Sequence, residues 1–161
     1  MIYIHIESGQ IKILALKKSL LGQYEITTFE KKHETELLDQ GRVVNVDVLA
    51  SAIKEGTTHA NALSDRDVVL ILPQESFSFL KVDVPADIAS SAVSSFVHDK
   101  ARTTLQMDLD NSYSNYFVKE VSNQKQVSFY AIDSAVLDSF SQALTLLNLK
   151  AVHVVPETLA I

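Results

Sequence analysis

Cysteine is absent from all 161 residues, which removes a disulfide framework and thiolate chemistry and fits a reducing compartment. Long apolar runs are missing too. The longest, Val68–Leu72, has five residues against the roughly 20 that a membrane helix needs, so no membrane insertion is expected. No basic segment followed by an apolar one opens the chain, so no secretory leader is expected. Basic charge is scarce: 14 Lys and Arg face 20 Asp and Glu, for a net charge of −6. That argues against a nucleic-acid surface, which needs dense phosphate contacts. The longest basic runs, Lys17-Lys18 and Lys31-Lys32, are too short for a polybasic membrane anchor. The reading is a mildly acidic, cytoplasmic α/β chain.

Motifs for chemistry are equally thin. The five histidines (His5, His33, His59, His98, His153) include no pair at the i, i+4 spacing of a helical metal site. His98-Asp99 reads as a solvated helix face, and His153 as a strand residue facing solvent or a seam between subdomains. Asp108, Asp110 and Asn111 lack the glycine and closing glutamate of a calcium loop. Ser90, Ser91, Ser94 and Ser95 have no flanking glycines of a nucleophile elbow. No nucleophile, base and oxyanion donor come together, so an enzyme is not expected.

What is present is an apolar fraction of 47%, enough to bury a sizeable core in one domain or two small subdomains. Ile2, Ile4 and Ile6 alternate with Tyr3, His5 and Glu7. After Ser8-Gly9, Ile11, Ile13 and Ala15 alternate with Gln10, Lys12 and Leu14. A period of two on both sides of a Ser-Gly corner predicts a β-hairpin. A third strand is expected over 24–29 and a loop over 31–41. A helix then starts at Asn45, with Val48, Leu49, Ala52 and Ile53 as its stripe, a cap from Asn45 or Asp47, and a weak point at Gly56-Thr57-Thr58. A further turn or loop through Leu63 leads to a boundary near 64–67. Val68–Leu72 reads as a strand buried on both faces, ended by Pro73, and 76–84 as another, ended by Pro85. The best-defined helix is expected from Ala86-Asp87 to Leu105, on the stripe Ile88, Ala92, Val93, Phe96, Val97 and Ala101. Strands over 112–121 and 126–132 flank a polar turn, 122–125. Asp133 or Ser134 caps a last helix, with Val136, Leu137, Phe140, Ala143, Leu144 and Leu147 in its stripe and Asn148 in the left-handed position at its end. The final strand, 150–155, stops at Pro156. The order is three strands and a helix, then β-β-α-β-β-α-β. Residues 68–156 are expected to build one five-stranded sheet with helices 87–105 and 134–147 on a common face. The aromatics Phe77, Phe79, Tyr113, Tyr116, Phe117, Phe129 and Tyr130 fall in its strands, mostly as core, with some on a second face able to bind a partner.

A succession of short motifs carries a family resemblance. They are Gly41-Arg42-Val43-Val44-Asn45-Val46-Asp47-Val48-Leu49, then Leu72-Pro73, Val84-Pro85-Ala86, Asn115-Tyr116 and Asn148-Leu149-Lys150. In this order they resemble the PilM-type actin-like proteins of type IV pilus assembly, related to FtsA and to the cytoplasmic domain of GspL. The first hairpin is similar to the phosphate-binding turn Asp-x-Gly-Ser-x-Ser-x-Lys of actin-like ATPases, with Ser8 and Lys12 kept, His5 at the Asp position and Glu7 at the first Gly. The resemblance implies an actin-like (ribonuclease H-like) fold. Residues 1–66 would be the first part of subdomain 1A, 67–156 a 1C-like subdomain, and 157–161 a return towards 1A. Ser8, Gly9 and Lys12 would be the remnant of the cofactor-binding phosphate loop, or an ordinary hairpin turn. His5 is a poor ligand for Mg²⁺, which prefers oxygen, and Glu7 repels phosphate. The family's second phosphate loop and adenosine pocket come from sequence after position 161. No cofactor is therefore expected for this stretch, and ATP with Mg²⁺ only in a longer parent. The implied function is a cytoplasmic scaffold peripheral to the inner membrane. It would bind the N-terminal peptide of a PilN-like membrane protein in a groove between 1A and 1C, with self-association as a further expectation. The alternative is an FtsA-like nucleotide-binding, polymerising protein.

Overall fold

The computed structural model describes residues 1–62, 64–121 and 124–160. The alternation at the start of the chain folds as the expected hairpin. Strand β1 (Ile2–Ile6) pairs antiparallel with β2 (Gln10–Lys18), Ile4 opposite Ile13. Ile2, Ile4, Ile6, Ile11, Ile13 and Ala15 are all buried, because strand alternation sends them to one face. The third strand, β3 (Tyr24–Lys32), runs longer than expected and takes Lys31 and Lys32 out of the loop. A minimal hairpin, β4 (Leu38–Asp39) and β5 (Arg42–Val43), occupies the rest of that segment.

Helix α1 (Val46–His59) is capped by Asn45, whose side-chain oxygen accepts from the N–H groups of Asp47 and Val48 at 2.9 and 3.1 Å. Leu49, Ala52 and Ile53 are buried, and Val48 stays exposed. Gly56 does not weaken the helix. It is buried where α1 packs on β2 and β3, and a Cβ there would lie 2.4 Å from Ile13 Cδ1 and 2.8 Å from Phe29 Cδ1. The glycine allows the close approach, so packing offsets its low propensity. The turn expected through Leu63 reaches outside the described residues.

The single sheet expected over 68–156 does not form. Strand β6 (Asp67–Leu72) pairs in parallel with β1, and β10 (Lys150–Pro156) pairs in parallel with β6. The order is β10-β6-β1-β2-β3. The hairpin leaves the second edge of β1 with unpaired backbone groups, and β6 satisfies them. Burial in β6 alternates, with Val68, Leu70 and Leu72 inside and Val69 and Ile71 half-buried, so it is not buried on both faces as expected. The chain divides into a first unit, Met1–Ser76 with Val136–Ile161, and a second, Phe77–Ala135.

The second unit has a three-stranded antiparallel sheet in the order β7 (Ser78–Val84), β9 (Gln124–Asp133), β8 (Ser112–Val121). On one face lies α2 (Val93–Thr104). Its Val93, Val97 and Ala101 meet Val82, Val84, Val127, Phe129 and Ala131. The helix begins well after the expected Ala86. Turns closed by Ile88 N–H to Pro85 O and Ala92 N–H to Ala89 O, at 3.1 and 2.8 Å, replace its first two turns. Ser90 and Ser91, weak helix formers, occupy the second. Of the turn expected over 122–125, Ser122 and Asn123 lie outside the described residues, and Gln124 and Lys125 belong to β9. Helix α3 (Ser134–Thr145) opens with Asp133 Oδ1 accepting from Ala135 N–H. From Val136 on it belongs to the first unit, with Phe140, Ala143 and Leu144 buried, and shares no sheet with α2. Asn148 has φ 56°, the left-handed position expected of it.

Candidate functional site

In β1, His5 alternates away from the buried isoleucines and stands in register with Lys12 on β2 and Ile71 on β6. Glu7 follows at the corner. Pro156 then ends β10, and a 3₁₀ turn brings Glu157 alongside. His5 Nε2 lies 3.7 Å from Glu7 Oε1 and 3.5 Å from Glu157 Oε2. The other oxygen of Glu157 accepts from Gln74 N–H at 3.3 Å, which orients the carboxylate. Lys12 Nζ is 3.4 Å from Glu7 Oε1.

The three residues of the phosphate-loop remnant are engaged within the fold. The Ser8 hydroxyl donates to Leu38 O at 2.9 Å. The Ser8 carbonyl accepts from the N–H groups of Leu37 and Leu38, and that of Gly9 accepts from His33 N–H at 2.8 Å. Glu7 N–H closes the corner on Gln10 O at 2.9 Å. These bonds tie the hairpin corner to the segment leading into β4. Lys12 is turned to Glu7.

Beside the corner is a hollow of about 430 Å³, lined by Glu7, Ser8, Leu38, Gln40, Gly41, Pro73, Glu75 and Glu157. Three carboxylates face it, and no Lys or Arg is among those residues. Like charges 4 Å apart repel by about 4 kcal/mol at an effective dielectric of 20, so such a hollow disfavours phosphate and favours cations. Sequence reasoning singled out neither Glu75 nor Glu157. Each follows a proline near a strand end, which is no signal for a site.

A second feature lies wholly in the second unit. Its aromatics divide between the two sheet faces as strand parity dictates. Phe129 is fully buried and Tyr116 packs against the core. On the opposite face Phe79, Tyr113 and Phe117 are 38%, 59% and 51% exposed. Tyr130 lies between, with ring centroids 4.8 Å from Phe79 and 6.4 Å from both Phe77 and Phe117. His98 is not simply solvated: its ring is edge-on to Phe129 at 5.5 Å, and its Nδ1 is 2.9 Å from Ser94 O. His153 is exposed, as expected.

No family model and no curated protein matches this sequence. Solved structures do. Over 99% of the chain the fold is similar to one in the PilM-PilN type IV pilus biogenesis complex, at TM-score 0.81 and 18% identity. It is also similar to the cytoplasmic domain of EpsL, an inner membrane component of the type II secretion system of Vibrio cholerae, at TM-score 0.65, 13% identity and 99% coverage. A weaker likeness, TM-score 0.44, is to a Bacteroides thetaiotaomicron protein of actin-like ATPase fold and unknown function. The chain spans 48% and 58% of the length of the first two. The α/β class expected from the order of elements is thus the one found, and the fold is shared with the PilM-PilN structure.

Proposed function

We propose that this chain is a PilM-like interaction module of an inner-membrane assembly platform, of a type IV pilus or a related secretion system. It works by binding rather than catalysis. The likeness to the PilM-PilN structure along nearly the whole chain carries this function. In this proposal the first unit corresponds to subdomain 1A and the second to 1C, so that β6, α3 and β10 fall to 1A. The partner is the N-terminal cytoplasmic peptide of a PilN-like membrane protein, and the module sits on the cytoplasmic side, peripheral to the membrane.

The aromatic face of the second unit supports peptide binding. Exposed Tyr113, Phe117 and Phe79, on one sheet face with Tyr130, have the composition of an interface centre. Burying each apolar anchor there contributes roughly 1.5–3 kcal/mol before ordering costs, which suits a micromolar contact strengthened by membrane tethering. The FtsA-like alternative has less support, because the acid-lined hollow beside Ser8 opposes nucleotide phosphate. Titrating the whole chain with the PilN-like peptide, followed by NMR, is the test. Shifts at residues 79, 113, 117 and 130, and a tenfold or greater weakening by F117A, are expected from hot-spot behaviour. No shifts anywhere in the chain would overturn the function, and shifts confined elsewhere would overturn the surface.

A further inference from the structure

We propose that His5, Glu7 and Glu157 form a binding site for a divalent transition cation of the zinc class. Their ligand atoms all lie within 4.8 Å of one another. The 3.5 and 3.7 Å from His5 Nε2 to the two carboxylates exceed a good hydrogen bond. They match the ~3.4 Å between neighbouring ligands of a tetrahedral ion bound at about 2.1 Å. A second observation concerns the imidazole alone. His5 Nε2 is wholly buried and has no hydrogen-bond partner among the described residues, although the side chain as a whole is 22% exposed. A buried polar atom without a partner is costly. A cation between the three groups would use its lone pair and neutralise both carboxylates.

The surroundings suit an ion of that class. The adjoining hollow, with Glu7, Glu75 and Glu157 on its wall, offers a negatively charged approach. Gln74 N–H fixes Glu157 from outside, as outer partners orient ligands in metal sites. One imidazole nitrogen with two carboxylate oxygens suits zinc, whereas Mg²⁺ demands a near-octahedral oxygen shell. Three protein ligands leave a position for water. Lys12, whose Nζ is 3.4 Å from Glu7 Oε1, competes for its carboxylate. The alternative is a protonated His5 held by the two glutamates with no metal. All of these residues belong to the first unit, so the proposal is independent of the partner proposed above.

Calorimetric titration of the metal-stripped whole chain with Zn²⁺, in excess Mg²⁺, is expected to give one site of micromolar affinity. His5→Gln and Glu157→Gln should each weaken it about tenfold or more, while His153→Gln, at an exposed position, leaves it unchanged. Circular dichroism checks that the variants fold. Co²⁺ added to the wild-type chain gives a second readout, with intense visible absorption expected for a tetrahedral site. Absence of saturable Zn²⁺ binding, wild-type affinity in a folded His5→Gln, or a weak octahedral Co²⁺ spectrum would each overturn the site.

Discussion

Gly41 shows how much one residue can hold. It sits at φ 74°, and a Cβ would lie 2.4 Å from Ser76 N and 2.6 Å from Glu75 C. Its carbonyl accepts the buried Ser76 hydroxyl at 2.8 Å. Gly41→Ala combines left-handed strain with a backbone clash and should cost about 2–5 kcal/mol by urea denaturation. Charge acts more weakly. Lys31 Nζ donates to both oxygens of Glu55 at 2.8 Å and holds its carboxyl below the usual glutamate range, against a smaller opposing effect of desolvation. Because the folded-state pKa is depressed, this contribution is complete above glutamate's ordinary pKa and is lost as pH falls through the lowered one. Lys31→Ala should therefore lower Tm slightly at neutral pH, and the difference should vanish in acid. Solvent screening keeps the effect small. That His5, Glu7, Ser8 and Lys12 lie close together was legible because they sit in one hairpin. Glu157 was not, since nothing local ties it to His5.

Elements follow their periodicity closely where packing and propensity agree. Removing the Asn45 cap by Asn45→Ala strands two N–H groups and should cost about 1 kcal/mol, measurable by thermal denaturation. In the second unit Phe129 fills the space between the sheet and α2, so Phe129→Ala should cost roughly 3–5 kcal/mol. Calorimetry should show that loss as a lowered transition, and an unchanged one would mean that this core is not cooperative. The element bounds that went astray share a cause. Helix α2 starts late because apolar spacing over 88–92 carries on where the serines favour turns. Strand β3 runs on because pairing with β2 holds residues whose own propensity is weak, Gln10 opposite Lys32 and Lys12 opposite Glu30.

For the molecule as a whole, the chain is expected not to bind ATP usefully. His5 and Glu7 replace the oxygen ligand and glycine of the related turn, and the adjoining hollow is acidic. Calorimetry with ATP and Mg²⁺ should detect no low-micromolar site, and finding one would refute this. By itself the sequence determined the α/β class, the hairpin, a cap at Asn45 or Asp47, the left-handed Asn148, and which face of most elements is buried. Those features follow from periods of 2 and 3.6 and from backbone preferences of single residues, all encoded within a few positions. Only the tertiary structure decided that β6 and β10 join β1, that α2 and α3 serve different units, and that Glu157 meets His5. Strand pairing uses backbone N–H and C=O groups that every residue carries. An apolar stripe specifies that a face will be covered without naming what covers it, so partners far apart in the chain are chosen only when the whole core is packed together.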